Sequence, residues 1–91
     1  MKVLSKCLNI GCGLKFNIEW ENIDLYPTSK YVKKVDFIKG LPYSENIFEF
    51  VYSSHVLEHI DYEHMKFVLS EMLRVLEPNG IVRIVVPDLE N

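Results

Sequence analysis

Leu8-Asn9-Ile10 runs into Gly11-Cys12-Gly13, and Asp24 stands eleven residues after Gly13. An apolar strand that ends in a Gly-x-Gly turn, followed by an acidic residue at the end of a second short strand, can hold a nucleoside. Gly11 and Gly13 have no Cβ, so their backbone can come close to a ligand. The Asp24 carboxylate can accept hydrogen bonds from both hydroxyls of a ribose. The plainer readings are an ordinary strand-to-loop turn at the glycines and a turn residue ahead of Tyr26-Pro27 at Asp24.

A second group of polar residues lies further on, at Ser53-Ser54-His55 and Glu58-His59. Either serine could cap a short helix, and His55 could act as a general base. The string His55-Val56-Leu57-Glu58-His59 formally matches the inverted zinc-protease pattern H-x-x-E-H. Histidines four apart can share one helix face and ligate zinc, but a catalytic zinc needs a further ligand. His64, Cys12 and Glu63 are available, and nothing in the sequence fixes them in place; no metal is expected. Cys12 has no activating neighbour that would make it a nucleophile. The G-x-G-x-x-G spacing of nicotinamide sites is absent, because Phe16 occupies its last position.

Five segments occur in a telling order: Leu8 to Gly13, Asn22-Ile23-Asp24-Leu25, Leu41-Pro42-Tyr43, His55 to His59, and Leu73-Arg74-Val75-Leu76-Glu77-Pro78-Asn79-Gly80. The series resembles the class I, Rossmann-like, S-adenosylmethionine-dependent methyltransferases, nearest to the small branch with a shortened segment after the first strand. The resemblance implies S-adenosylmethionine as cofactor, held by Asn9, Gly11, Cys12, Gly13, Asp24, Leu25, Asp36, Phe37, Ser53 and Ser54. In it Leu25 packs on the adenine face and Asp36 accepts from the adenine amino group. His55 and Glu58 become the candidate catalytic residues, with Tyr43 also near the methyl acceptor. Asn9 stands where many members carry an acidic residue, and Lys15 where they carry a third glycine. The acceptor itself is not legible. A second functional class, a cofactor-binding or interaction module without transferase activity, shares the same motifs.

The elements that must position these residues follow from periodicity and breakers. Strands are expected at Cys7–Ile10, Asn22–Leu25, Val32–Phe37, Phe48–Ser53 and Ile81–Val86, the fourth aromatic and β-branched. Residues 14–21 leave room for at most one helical turn, and another turn of helix is expected near Ser29–Tyr31. A short helix is expected at Val56–His59. Asp61 is a good N-cap for a long helix Tyr62–Leu76, whose apolar stripe is Tyr62, Met65, Val68, Leu69, Met72, Val75 and Leu76, with Phe67 also core-forming. Pro78-Asn79-Gly80 should end that helix, and Pro87 the last strand. Strands that alternate with helical or loop segments imply a parallel α/β sheet. The resemblance supplies its order, 3-2-1-4-5, without the carboxyl-terminal antiparallel hairpin that completes such sheets. Ile81–Val86 would then be an exposed apolar edge, which invites pairing with another chain. A homodimer, or a piece of a longer protein, is expected.

Bulk composition agrees with one small globular domain over residues 1–91. The chain has 48% hydrophobic and 12% aromatic residues, too apolar for a disordered segment. A domain of this size buries roughly 60–65% of its extended-chain surface, so stability should be marginal. The net charge of -3 offers no general attraction for nucleic acid; Lys30, Lys33 and Lys34 read as a solvated edge. Two cysteines are too few for a disulfide scaffold. No secretory leader is visible, and no apolar run approaches the ~20 residues of a membrane span. A cytoplasmic protein is expected.

Overall fold

A computed structural model of the chain describes residues 6–11, 17–54 and 56–86, the last stretch without the Glu58 side chain. Its strands are β1 (Cys7–Ile10), β2 (Glu21–Asp24), β3 (Val32–Lys34), β4 (Phe48–Ser54) and β5 (Leu76–Val85). They form one parallel sheet in the order β3-β2-β1-β4-β5. Leu8 lies between Glu21 and Val51, and Ile10 between Ile23 and Ser53. Strand order reverses between β1 and β4, so a crevice opens at their carboxyl ends.

Side chains alternate faces along a strand, and the register sorts them across the sheet. Leu8, Ile10, Ile23 and Val51 share one face and are fully buried. The helix α1 (Tyr62–Val75) covers this face with Val68, Met72 and Val75, also fully buried. Burial of each such side chain stabilises by ~1.5–3 kcal/mol. On the opposite face Trp20 stands edge-on to Phe50 and Tyr52, with ring centroids 5.6 and 6.5 Å away.

Asp61 caps α1 as its sequence position requires. One carboxylate oxygen accepts the His64 backbone N–H at 2.9 Å, and the His64 imidazole lies at the same distance. These bonds, the backbone one first, hold the Asp61 carboxyl below the usual carboxylate range. Two of the residues expected in the core face outward instead: Tyr62, from the stripe, is 65% exposed and Phe67 42%. The helix also ends one residue early, and Pro78-Asn79-Gly80 belongs to β5 rather than to a turn. The reason is tertiary. The N–H groups of Asn46 and Ile47 donate to the Arg74 and Val75 carbonyls, each at 2.9 Å. With those carbonyls taken, Leu76 turns extended beside Phe48. Pro78 is tolerated because β5 is the outer strand.

The third strand is shorter than expected. It stops at Lys34, the Val35 N–H reaches back to the Asp24 carbonyl at 3.0 Å, and Phe37–Lys39 forms a 3-10 turn. That turn swings Phe37 into the core, where it is 3% exposed. At Ser29–Tyr31 a single hydrogen-bonded turn replaces the helical one, with Val32 N–H on the Ser29 carbonyl at 3.1 Å. Among the described residues no helix is long and apolar enough to cross a membrane.

Two polar clusters brace the amino ends of the strands. Arg74 donates to the carbonyls of Tyr43 (2.8 Å) and Leu41 (2.9 Å) and to both oxygens of Glu71. Glu71 in turn accepts the Leu41 N–H at 2.8 Å. Arg74 thereby holds the Glu71 carboxyl below the usual range. The second cluster centres on buried Glu21, which accepts from Lys33 Nζ at 2.6 Å and from the Tyr43 hydroxyl at 2.8 Å. Burial, then the bond to Glu21 and its charge, push the Tyr43 phenol above its ordinary pKa. Tyr43, expected near the methyl acceptor, is buried in the core with its hydroxyl on Glu21. Its hydroxyl partner sits three residues before Asp24 on β2, a separation of ~10 Å along a strand.

Removing Arg74 leaves two loop carbonyls and a half-buried carboxylate without their donor. Arg74→Ala should destabilise the chain by ~2–3 kcal/mol in urea denaturation, since hydrogen bonds to charged groups contribute about 1.5–3 kcal/mol. Arg74→Lys should recover less than half, because a lysine cannot span the same acceptors. Because the folded pKa of Glu71 is depressed, its contribution is complete above the ordinary glutamate value of about 4.3. It is lost as pH falls through the folded value. Glu71→Gln should therefore flatten the loss of stability below pH ~4 in an acid denaturation series.

Candidate functional site

Gly11 ends β1 with φ +67°, in the left-handed region that favours glycine. Its N–H donates to the Ile23 carbonyl at 2.8 Å, which ties the end of β1 to β2. A Cβ at Gly11 would fall inside the van der Waals envelope of Val56 Cγ2. The glycine is thus required twice, by its backbone angle and by the side chain packed against it. Asp24 ends β2 alongside. One of its carboxylate oxygens accepts the Tyr26 N–H at 3.2 Å, which steadies the side chain at the strand end.

These residues open onto a cavity of about 280 Å³ lined by Gly11, Asp24, Leu25, Phe37, Ile38, Val56, His59 and Ile60. The volume is near the small end of the ~300–1,000 Å³ range of ligand pockets. Among the described residues, the walls are apolar apart from Asp24 and His59. A flat ring can lie between such walls while a carboxylate at one side accepts from hydroxyl groups. That donor set suits a nucleoside.

Of the residues singled out in the sequence, the fold brings together Gly11, Asp24, Leu25 and Phe37 on this cavity. Asp36 does not line it; its exposed carboxylate faces Lys39 Nζ at 3.8 Å. Asn9 is buried within β1, where its side-chain amide donates to Asn22 Oδ1 at 3.3 Å. Asn22 donates in turn to the carbonyls of Asn17 (2.7 Å) and Trp20 (3.1 Å). This pair supports the β1–β2 connection. Ser53 is buried at the end of β4, with no hydrogen-bond partner for its hydroxyl among the described residues. Ser54 lies beside Val85. Neither serine lines the cavity. Cys12, Gly13 and His55 lie outside the described residues, as does the side chain of Glu58.

Ile38, Val56, His59 and Ile60 complete the lining, and sequence reasoning did not place them there. Ile38 arrives through the 3-10 turn that replaced the end of the third strand. Val56, His59 and Ile60 come from the segment after β4, where Leu57–His59 forms a second 3-10 turn. The one available signal was the run of apolar residues Val56, Leu57 and Ile60 around Glu58-His59.

Because Gly11 is held by both angle and packing, Gly11→Ala should destabilise by ~2–4 kcal/mol in chemical denaturation. Left-handed backbone costs a non-glycine residue about 1–2 kcal/mol, and overpacking typically another 1–3. In the double variant with Val56→Ala the overpacking should disappear, so the two effects should sum to less than their separate values. No curated protein matches the chain. The methyltransferase domain family matches residues 8–84, most of its length. With the parallel sheet in the order 3-2-1-4-5 and the cavity at its carboxyl ends, the chain belongs to the class I, Rossmann-like S-adenosylmethionine-dependent methyltransferase family.

Proposed function

We propose that the chain binds S-adenosylmethionine in this cavity and acts as a cytoplasmic methyltransferase domain. The observation that carries the reading is the Asp24 carboxylate at the end of β2, beside a slot walled by Leu25, Phe37, Ile38, Val56 and Ile60. Asp24 would accept from the ribose hydroxyls, and the apolar walls would enclose the base. When bound, the cofactor supplies a methyl group already activated by its positive sulfur. The protein is left with orientation and the exclusion of water, and orientation alone can supply several kcal/mol. Gly11 admits Val56 close to its backbone, and Val56 and Ile60 keep solvent from one wall. His55 and Glu58 remain the residues assigned to the acceptor side, beyond the end of β4.

A second part of the proposal concerns assembly. The two outer strands differ in how they resist pairing. β3 has three residues, two of them exposed lysines, a common protection of sheet edges. β5 has ten residues and leaves Ile81 63% exposed, with Ile84 and the adjoining Val86 also exposed. We infer that two copies pair along β5.

Calorimetric titration should give micromolar binding of S-adenosylmethionine and S-adenosylhomocysteine. Asp24→Ala should weaken both by about 30- to 150-fold, as expected for loss of ~2–3 kcal/mol of charge-assisted hydrogen bonds. Equal affinity in the variant would overturn the ribose assignment. Sedimentation velocity at micromolar concentration should give the mass of two chains, and Ile81→Lys should reduce it to one. A wild-type monomer would overturn the assembly.

A further inference from the structure

We propose that the flank of α1 nearest β5 is an interaction surface for the same flank of a second copy, and that this contact closes the assembly at two chains. The inference rests on the reading that two copies pair along β5. The stripe Val68, Met72 and Val75 of α1 is buried on the sheet. One side of that stripe is used within the chain. Phe67 approaches Gly40, and Glu71 and Arg74 hold the 41–43 loop, which the Tyr43 hydroxyl anchors to Glu21 of β2. The helix surface on the other side of the stripe carries Tyr62, Leu69 and Leu73, whose spacing sets them on one flank. With the 41–43 loop on the β2 side, this second flank lies toward β5. Leu73 is 64% exposed there.

The strand beside the flank is apolar too. Val82 and Ile84 are in register with Val51 and Ser53 and share the α1 face of the sheet, whereas Ile81, level with Phe50, is on the opposite face. Ile84 is 38% exposed. An occupant of this corner must offer two things at once, a strand edge for β5 and an apolar helix flank above it. A copy related by a two-fold axis through the paired edges offers both, because a two-fold contact brings the same patch from each side. The β5 strands then run antiparallel and the α1 flanks meet above them. Lys66 is the charged residue on the flank, its Nζ 4.9 Å from the centre of the Tyr62 ring. It precedes Leu69 and Leu73, so antiparallel helices carry the two ammonium groups to opposite ends of the contact. The other edge of the sheet has no such match. β3 is three residues long with two exposed lysines, and the α1 flank on its side already holds the chain's own loop. Head-to-tail growth is thereby blocked.

The test is sedimentation velocity over a dilution series of the wild type, Leu73→Lys and Phe67→Lys, each checked for folding by circular dichroism. Leu73→Lys should weaken dimerisation roughly 10- to 100-fold, since a two-fold contact holds the change twice. Phe67→Lys, on the flank that faces the chain's own loop, should leave the dimer intact. In a Cys7→Ser, Cys12→Ser background, mild oxidation should crosslink two chains through Leu73→Cys and not through Phe67→Cys. A dimer indifferent to Leu73→Lys, with no crosslink at that position, overturns the inference and leaves the β5 pairing standing. Equal loss in Phe67→Lys overturns it too, since the effect would then not belong to one flank. Species larger than two chains that grow with concentration overturn the closure. A wild-type monomer overturns the β5 pairing and this inference together.

Discussion

The connection from β1 to β2 constrains everything at the ligand end. Residues 11–20 are all that joins two adjacent parallel strands. Parallel neighbours ordinarily need a crossover of a dozen residues or more, usually a helix. Here the return is made with less chain, and the molecule compensates by side chains. Asn22 takes the carbonyls of Asn17 and Trp20, and Asn9 supports Asn22 from the middle of β1. Trp20 lays its ring against Phe50 and Tyr52 and covers part of that sheet face. The turn out of β1 is tight enough to require a left-handed residue at Gly11.

Among the described residues, the cavity walls come from Gly11 and from the segments after β2, β3 and β4. Val56 is the pivot, because it fills the space that a Cβ on Gly11 would claim and begins the turn that carries His59. The cavity is therefore a property of contacts between loops. Such loops hold a defined shape only if the strands beneath them are rigid.

The amino ends of the strands supply that rigidity. Glu71 and Arg74, one turn apart on α1, clamp the 41–43 loop by its backbone, while Glu21, Lys33 and Tyr43 form a buried polar cluster beneath β2. Burying a carboxylate such as Glu21 is costly unless it is hydrogen bonded. Lys33 and Tyr43 meet that need on one oxygen. The polar braces and the ligand cavity thus occupy opposite ends of the same short strands, with the apolar core of Leu8, Ile10, Ile23, Val51, Val68 and Met72 between them.

Much of this was legible in the chain itself. Alternating apolar segments, turn residues and the Asp61 cap identified the strands, α1 and a parallel sheet, because those signals are local. Gly11, Asp24, Leu25 and Phe37 were legible as residues near the crevice, because a strand end in a parallel sheet points to it whatever surrounds it. Other features depended on partners distant in sequence. Asn46 and Ile47 ended α1 by taking its last carbonyls, which no residue within the helix announces. Tyr43 went to the core because Glu21 was there to accept its hydroxyl. Asp36 left the cavity, and Ile38 and His59 entered it, through two 3-10 turns whose direction is set by what they pack against. The sequence by itself determined the elements and the end of the sheet where chemistry could occur. Only the tertiary structure decided which side chains line the cavity, because that choice is made by packing between segments and not by the pattern within any one of them.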